Sequence, residues 1–390
     1  MYLQDKQIAI VGGGPGGLTL ARLLQQHGAS VTVYERDLDR HVRVQGATLD
    51  LHHESGLAAL REAGLLDAFK ATYRPGADKL RLTDQHATIV YDDHTEAQAA
   101  TFGDAHFRPE IDRGPLRELL LDSLQPNTVV WNSHLVAVTP HGLAWQLTFA
   151  NGTAATADII IGADGANSKI RPLVTPIRPF YSGVMVVEGA VYDVAQHAPR
   201  ISQLLQGGKI FAMGHEKTLI VSSKGDGSIA FYMGFKAPEG WAHDSGLDFH
   251  SATHMQAWFK QAFAGWASLW EELFASNTAS CVPRPQYCMP LTQIWAAQPN
   301  ITLLGDAAHL MPPYAGEGVN MAMLDALELS TCLTSAQFPS LQAAIAHYER
   351  HMRQRASAVA QETLEQTEAL HSPHALAHLL GLFSGVGAGK

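Results

Sequence analysis

The sequence predicts an α/β fold in which a three-layer domain with a parallel sheet is interrupted by a mixed β-sheet insertion. Three observations lead to this prediction. A strand, a glycine-rich turn, a helix and a second strand follow one another in residues 7–34; buried-strand runs return at 158–162 and 300–304; and strand-like runs separated by turn signals occupy about 180–290. Strands that alternate with helices indicate a parallel sheet, whereas consecutive strands and turns indicate an antiparallel or mixed one.

The composition is that of a globular enzyme. The chain has 390 residues, 46% of them hydrophobic and 16% charged, and its formal net charge is −10. This length suits two or three domains. Because no basic run or basic–aromatic stripe is present, we expect no nucleic-acid partner. Without a signal peptide or a run of about 20 apolar residues, we expect no membrane association and a cytoplasmic location.

The three cysteines carry no evident chemistry. Cys281, Cys288 and Cys332 are too few for a disulfide framework, and their spacing fits neither a zinc site nor a CxxC pair. We therefore expect buried or idle thiols and no metal.

The first motif is a glycine-rich turn. Residues 7–11 (QIAIV) indicate a buried strand, and Gly12, Gly14 and Gly17 then fill the positions of GxGxxG. The first glycine permits a tight turn, the second lets the backbone approach a pyrophosphate, and the third lets helix and strand pack closely. Residues 18–27 have helical spacing, so their N-terminus would favour the phosphates.

A second strand and an acidic residue complete this unit. Residues 30–34 (SVTVY) indicate the strand, and Glu35 lies 18 residues after Gly17, where a carboxylate accepts from ribose hydroxyls. The unit therefore predicts adenine-dinucleotide binding. It leaves FAD and NAD open, and a glycine-rich loop without a ligand is the alternative.

The following elements are predicted from periodicity and turn residues. We expect a loop running into a strand at 43–52, a helix at 54–70, a hairpin at 79–92, a helix at 112–124 capped by Asp112, strands at 128–131 and 143–149, and a turn at Asn151 and Gly152. Strands at 217–223 and 228–235 surround a turn at 224–227. Residues 249–274 look helical, and their Trp258, Trp266 and Trp270 suit core packing. A long helix follows at about 338–366, and 385–390 (GVGAGK) suits a loose tail.

Two further motifs each follow a predicted strand. Asp164 and Gly165 follow DIIIGA (158–163), and Asp306 follows LLG (303–305). The second is extended by YAGEGVN (314–320) and a helix. Glycines at 316 and 318 allow close approach to something flat, and the helix N-terminus favours negative charge.

These motifs, in this order, carry a family resemblance. The chain resembles the single-component (class A) FAD-dependent aromatic hydroxylases of the para-hydroxybenzoate hydroxylase type. More narrowly, it resembles the tetracycline-inactivating flavin monooxygenases. The matching stretches are VGGGPGGL (11–18), VYERD (33–37), GATLDLH (46–52), IDR (111–113) with LR (116–117), and GDAAHLMPPYAGEGVN (305–320), and the likeness runs from about 7 to 366.

The resemblance implies a Rossmann-like FAD-binding domain of the glutathione-reductase type, which is discontinuous in sequence. We expect the FAD-binding domain at 1–73, 104–178 and 290–338, the substrate-binding domain at 74–103 and 179–289, a C-terminal bridging helix at 339–372, and a tail at 373–390. Since that helix would join both domains within one chain, we expect a monomer.

The resemblance also implies the residues that contact FAD. Glu35 would hold the ribose, Arg36 would lie beside the adenine, and Asp50 would lie near the flavin ring. The implied set is Gly12, Gly14, Pro15, Gly17, Glu35, Arg36, Arg43, Asp50, Arg113, Arg117, Asp164, Gly165, Asp306, Pro313, Gly316, Gly318, Val319 and Asn320. Among these, Arg113 would contact the phosphates or ribityl chain, Asp306 the ribityl hydroxyls, and the 318–320 backbone the pyrimidine edge of the flavin.

The implied reaction takes place on the cofactor. NADPH or NADH, bound transiently, would reduce FAD; O2 would then give a C4a-hydroperoxyflavin that hydroxylates an aromatic or polycyclic substrate, with a tetracycline as one candidate. No side chain is assigned as nucleophile or general base. For His309, inside the third motif, we expect a structural role.

Substrate contacts are expected from the insertion and from the segments around it. Where the tetracycline-inactivating enzymes hold Gln, Arg and His, this sequence holds Glu188, Lys209 and Ala230. Lysine lacks the forked donor geometry of arginine, and alanine offers no hydrogen bond, so a different or smaller aromatic substrate is the alternative. Further candidate contacts are Pro312, Gly316 and His371.

Other classes of function remain open at this point. A flavin oxidase or dehydrogenase of the glutathione-reductase lineage should show a second GxGxxG, and a disulfide reductase should also show a cysteine pair; the sequence has neither. A flavin halogenase should show WxWxIP, which is missing too. A non-catalytic FAD protein that binds an aromatic ligand is compatible with the same residues.

Overall fold

The computed structural model describes residues 3–42, 48–94, 101–275 and 281–384. The strands are β1 Gln7–Val11, β2 Ser30–Tyr34, β3 Leu49–Asp50, β4 Leu80–Asp84, β5 Ile89–Asp92, β6 Glu110–Ile111, β7 Val129–Val130, β8 Leu135–His141, β9 Ala144–Phe149, β10 Ala154–Ala157, β11 Ile159–Gly162, β12 Phe180–Val191, β13 Lys209–Gly214, β14 Lys217–Ser223, β15 Ile229–Lys236, β16 Val282–Cys288 and β17 Ile301–Leu303. The helices are α1 Pro15–Gln26, α2 Gly56–Glu62, α3 Leu66–Lys70, α4 Arg113–Asp122, α5 Arg171–Val174, α6 Val194–His197, α7 Pro199–Leu205, α8 Trp241–Asp244, α9 Ala252–Ala262, α10 Asp306–His309, α11 Gly318–Thr334, α12 Leu341–Leu370 and α13 Ala375–Phe383, with 3-10 helices at Ser268–Phe274 and Pro313–Ala315.

A five-stranded parallel sheet forms the first layer, in the order β17-β11-β1-β2-β7. Its central strand β1 is buried along four of five residues, as expected for a parallel strand covered on both faces. Helices α1 and α11 pack closely, because Gly16 lies against the Ala322 carbonyl and leaves no room for a Cβ atom. The predicted α/β fold with a Rossmann-like parallel sheet is confirmed.

A seven-stranded mixed sheet forms the insertion, in the order β16-β12-β15-β14-β13-β4-β5. All its neighbours are antiparallel except β13 and β4. One face packs against α7, α9 and the Ser268–Phe274 helix, in a core that includes Phe231, Met233 and Trp270. The side chains on the other face point away from that core, and those of Leu80, Leu82 and Met213 pack against Leu370, Ala375 and Leu379 of the C-terminal helices.

Helix α12 contacts both sheets. At one end, Glu349 is 1% exposed and accepts hydrogen bonds from Thr302 Oγ1 of β17 at 2.8 Å and from Trp295 Nε1 at 2.9 Å. At the other end, Glu368 pairs with Lys236 of β15 at 2.7 Å. Among the described ranges, no helix combines the length and hydropathy needed to cross a membrane.

Four local expectations were wrong, each for an identifiable reason. Residues 54–70 form α2 and α3 instead of one helix, because Gly64 takes a φ of +72° between them. Residues 249–274 form α9 and a 3-10 helix, with Gly265 at a φ of +86° before the latter. The expected core packing of Trp266 and Trp270 is confirmed, and Trp258 packs at the edge of the same core.

The expected N-cap of α4 was the third error. Asp112 precedes the helix, but its side chain makes no capping bond. It accepts instead from Gly225 N at 2.7 Å and from Arg74 Nη1 at 3.3 Å, so it joins α4 to the turn between β14 and β15. The fourth error concerns residues 373–384, expected as a tail, which contain α13 packed against β4 and β13.

We predict that Glu349→Ala lowers the free energy of unfolding by about 2–4 kcal/mol. The substitution leaves the Trp295 and Thr302 donors buried without an acceptor. Chemical denaturation of the purified protein measures the effect. Glu362→Ala, on an exposed position of the same helix, is the control and should change stability by less than about 0.5 kcal/mol; equal losses in the two variants would contradict the assignment.

Candidate cofactor and substrate site

The three sequence motifs meet at one edge of the parallel sheet. The glycine turn follows β1, the Asp164 segment follows β11, and the Asp306 segment follows β17. These strands are adjacent and parallel in the order β17-β11-β1, so their carboxyl ends lie side by side. Ligands of open α/β sheets bind outside the carboxyl ends of the strands, so we call this edge the cofactor cleft.

The glycine turn has the geometry that an anion needs. Gly12 takes a φ of +111°, and a Cβ there would lie 2.2 Å from the Ala163 carbonyl oxygen. A Cβ at Gly17 would lie 2.2 Å from the Gly12 carbonyl oxygen, whereas a Cβ at Gly14 would meet nothing within 4 Å. Gly14 begins α1 without a side-chain cap, and Pro15 follows. The residues present thus fit a dinucleotide, because an uncapped helix N-terminus faces open space.

Glu35 lies beneath the turn. It is 2% exposed, and its carboxylate accepts from Gly13 N at 2.6 Å and from Asp37 N at 3.0 Å. The residue supports the turn, and its expected contact with ribose stays a prediction.

The arginines expected to contact FAD differ in their exposure. Arg36 and Arg113 are exposed, and Arg43 lies outside the described residues. Arg117 is buried; it donates to Asp37 Oδ2 at 2.9 Å, and its guanidinium lies 5.2 Å from the centre of the Trp131 ring. Their cofactor contacts stay predictions.

Arg171 ties the second motif to the third. Its Nε donates to the Ala307 carbonyl at 2.7 Å, and its Nη2 donates to the carbonyls of Asp306 at 2.8 Å and Ala166 at 3.0 Å. The Asp164 carboxylate accepts within its own turn, from Ser168 Oγ and Lys169 N, both at 2.6 Å. Beside it, Gly165 takes a φ of +76°.

Asp306 differs from Asp164 because its side chain is exposed in the cleft. Removal of water by the surrounding protein raises the pKa of its carboxyl group. Positive charge on His309 and Arg113 partly offsets this rise. An accessible carboxylate at the end of β17 can accept from sugar hydroxyls.

His309 belongs to a buried ion-pair network. Its Nε2 lies 2.5 Å from Asp325 Oδ2, and Asp325 also accepts from Gly305 N at 2.9 Å and from Arg355 Nη2 at 2.7 Å. Burial alone would lower the pKa of His309, but Asp325 raises it above its usual value. The network fixes the Gly305 turn before Asp306.

The segment 312–320 crosses the cleft after the third motif. Pro312 is buried, Pro313, Gly316 and Gly318 are exposed, and Val319 is half-buried. Gly318 begins the 17-residue helix α11.

The Asn320 side chain fastens this helix to β3. It donates to the Asp50 carbonyl at 2.9 Å and accepts from His52 N at 2.9 Å and Ser55 Oγ at 3.3 Å. The Asn320 side chain is therefore fully engaged within the protein, and the expected contact of its backbone with the flavin stays a prediction.

His52, next to Asp50, lies between two carboxylates. Its Nε2 is 3.1 Å from Asp50 Oδ2, and its Nδ1 is 3.3 Å from Glu317 Oε1. Burial alone would lower the pKa of His52, but the two carboxylates raise it to about 9. Burial would also raise the pKa of Asp50, but His52, Lys209 and Arg108 hold it below its usual value.

The three expected substrate residues of the mixed sheet share one face. The register sets Ala190, Ala230, Ser222 and Lys209 side by side across four strands. Two residues along each strand, Glu188, Tyr232, Ile220 and Phe211 form the next row. Because side chains alternate along a strand, both rows lie on the face opposite the core. We call this the substrate face.

Charged partners occupy the substrate face. Glu188 pairs with Arg284, and Lys209 pairs with Glu110, which is fully buried. Burial raises the pKa of Glu110, which Lys209 opposes. Ala230 is buried.

His371 is the sixth expected substrate residue, and the structure places it beneath Tyr314. It is fully buried, its Nε2 lies 3.3 Å from Tyr314 Oη, and its Nδ1 bonds the Thr367 carbonyl at 2.7 Å. Gly234 makes room for this pair, since a Cβ there would lie 2.5 Å from Tyr314 Oη. In this arrangement Tyr314, and not His371, is the accessible side chain.

The sequence did not predict the residues that contact the expected cofactor and substrate residues. Tyr232 lies on the substrate face, and its hydroxyl group is buried close to Glu188. Burial and nearby Glu188 raise its pKa. The period-2 pattern of 228–235 could have identified Tyr232, two residues after Ala230. No local pattern indicates that Glu317 meets His52 or that Arg284 meets Glu188.

The sequence of this chain is similar to those of known FAD-binding proteins. A model of the FAD binding domain family matches residues 5–237 and 291–363. The chain is 30% identical to monooxygenase asqM of Emericella nidulans, over 89% of this chain and 91% of that protein. It is 29% identical to 6-hydroxynicotinate 3-monooxygenase of Pseudomonas fluorescens, over 91% and 90%.

Solved structures share the fold. HpxO of Klebsiella pneumoniae, complexed with FAD and uric acid, superposes with a TM-score of 0.76 at 21% identity, covering 97% of this chain and 92% of that one. Tetracycline destructase Tet(55) superposes with a TM-score of 0.75 at 18% identity, covering 95% and 91%. At these identities the likeness concerns the fold alone.

We predict that His52 stabilises the protein most below pH 6.5 and progressively less towards pH 9. Its folded pKa of about 9 lies above the unfolded value of about 6.5, so the stabilisation is present in acid and is lost as pH rises. The difference amounts to about 3 kcal/mol. Denaturation of the parent protein and His52→Gln at pH 6, 7.5 and 9.5 measures it; a stability gap that stays constant across this range would contradict the charged state.

Proposed function

Because the chain belongs to the FAD binding domain family and is related to flavin monooxygenases, we propose that it is an NAD(P)H-dependent monooxygenase that hydroxylates a small aromatic compound. One observation carries the proposal. The 312–320 segment of the cofactor cleft touches the substrate face, since a Cβ atom at Gly234, which lies on the same face as Tyr232 and Ala230, would be 2.5 Å from Tyr314 Oη. A cofactor and a ring-sized substrate could thus meet between the two sheets.

The cofactor end of the cleft would hold FAD by its phosphates and sugar. The N-terminus of α1 at Gly14 would receive the pyrophosphate, and Asp306 would accept from the ribityl hydroxyls. The flavin ring would lie along 316–318, where Gly316 and Gly318 leave the backbone open. Bound FAD supplies the electron transfer and the activation of O2.

The remaining role of the chain is to position the substrate and exclude water. The substrate face supports this role, because Ile220 and Tyr232 are half-buried there. Phe211, on the same face, packs against the cluster that contains α13. Tyr314, seated above Gly234, would limit the space at one end of this face.

The substrate class follows from these side chains and from the relatives. A flat ring suits the aromatic and aliphatic side chains, and Glu188 with Arg284 offers an acceptor and a donor for polar ring substituents. The relative from Pseudomonas fluorescens acts, by its name, on a hydroxylated nitrogen heteroaromatic acid. We propose a substrate of this size, and a tetracycline is the alternative suggested by the fold of Tet(55).

We predict that the FAD-loaded protein consumes NADPH or NADH faster with a hydroxylated heteroaromatic acid or a phenol than without one. The product should gain one oxygen atom, which carries label when the reaction is run under 18O2. Mass spectrometry and NAD(P)H absorbance measure the two effects, with tetracycline as a parallel arm. Failure of both nicotinamides to reduce the flavin would overturn the proposal, and fast peroxide release without any substrate would indicate an oxidase.

We also predict that Gly14→Asp has opposite effects on cofactor affinity and stability. The aspartate would cap α1 and raise the stability of the FAD-free protein by a few tenths of a kcal/mol, since glycine is already tolerated at an N-cap. Its charge would oppose the pyrophosphate and weaken FAD binding by at least about tenfold more than the neutral Gly14→Asn does. Flavin fluorescence titration and denaturation measure the two quantities. Equal FAD affinities for the Asp and Asn variants would mean that phosphate does not bind at this helix end.

A further inference from the structure

The His52 cluster joins β3 to the glycine segment 316–318 and has a defined charge. Both ring nitrogens of His52 face carboxylate oxygens, Asp50 Oδ2 at 3.1 Å and Glu317 Oε1 at 3.3 Å. Only the doubly protonated imidazolium can donate from both nitrogens at once. With 3% exposure, the ring has little water to take over either contact.

The cluster lies directly beside the segment proposed to receive the flavin ring. Glu317 stands between Gly316 and Gly318, and Asp50 Oδ1 lies 3.7 Å from the place of a Cβ atom at Gly316. The Asn320 bonds to the Asp50 carbonyl and His52 N hold these two stretches of chain together. Any change of charge at His52 therefore occurs in direct contact with Glu317, the middle residue of this segment.

We infer that His52 is a positioning residue that sets the reduction potential of bound FAD, by carrying a positive charge between Asp50 and Glu317. Two-electron reduction of FAD at neutral pH takes up two electrons and one proton, which adds a negative charge to its ring system. Charge near the ring is one of the means by which a protein tunes a flavin. The positive charge of His52 thus favours the reduced state, and the two carboxylates oppose it.

The other charged groups nearby do not replace His52, so the net charge of the cluster depends on His52. Arg108 and Lys209 also face Asp50, but Arg108 Nη1 is 4.0 Å away and more than half exposed. Lys209 is already paired with Glu110. Asp50, Glu317 and His52 together carry a net charge of −1, which becomes −2 when the imidazolium loses its proton or is replaced.

The inference rests on the proposed position of FAD, and the variants separate charge from structure. At pH 6, His52→Gln removes a positive charge and should lower the midpoint potential of the two-electron couple. Glu317→Gln removes a negative charge and keeps a hydrogen-bonding side chain, so it should raise the potential. We expect each shift to be at least about tenfold in the reduction equilibrium, equal to about 30 mV.

Two further variants complete the design. The double variant His52→Gln with Glu317→Gln again has a net charge of −1 and should return towards the parent potential. His53→Gln places the same substitution one residue away, on a half-buried side chain outside the cluster, and should leave the potential unchanged. Dye-coupled reductive titration of the FAD-loaded proteins measures all four, without NAD(P)H or substrate.

The pH profile provides a second test. The gap between the parent protein and His52→Gln should be widest near pH 6 and should close above about pH 9, where the imidazolium loses its proton. Two results would overturn the inference: potential shifts of the same sign in both single variants, or a difference in potential between parent and His52→Gln that does not change with pH. Either would mean that His52 acts only by holding the two chain segments in place. Because no hydroxylation is required, loss of the proposed reaction with these shifts intact would refute the proposed function alone.

Discussion

The close approach of β1 and β11 at Gly12 is the constraint on which the rest of the site depends. The Gly12 position lies against the Ala163 carbonyl, where no Cβ atom fits, and Gly17 lies equally close to Gly12. This packing sets the N-terminus of α1 against the ends of the neighbouring parallel strands. A single edge of the sheet thereby gathers the glycine turn, the Asp164 segment and the Asp306 segment, which are far apart in the chain.

One ion pair and one hydrogen bond to a carboxylate join β6 and the residue after it to the mixed sheet. Lys209 of β13 meets Glu110 of β6, and Asp112, one residue after β6, holds the β14–β15 turn through Gly225. Burying a charge is unfavourable unless it is paired, so each pair is specific for one relative placement of its two elements. The charges that orient the two layers are thus also those that surround the proposed site.

Much of the fold, but less of the site, could be predicted from the sequence. Periodicity located β1, β2 and α1 because these elements are buried in regular patterns, and because Gly12 and Gly28 mark the ends of β1 and α1. It failed at Gly64 and Gly265, because a single positive φ divides a segment whose apolar spacing is continuous. The family likeness is confirmed at the level of a FAD-binding monooxygenase. The pairing of His52 with Glu317 was not predictable, because the two residues are distant in sequence and meet only when α11 packs on β3.

The substrate face and the cofactor cleft are built on different sheets. Residues such as Glu188, Tyr232 and Ile220 project from strands whose other face carries a separate aromatic core. The Glu188, Tyr232 and Ile220 side chains therefore belong to neither the glycine turn nor that core. If the substrate face binds the substrate as proposed, this division lets substitutions there change substrate specificity in related sequences while the cofactor cleft and the aromatic core stay the same.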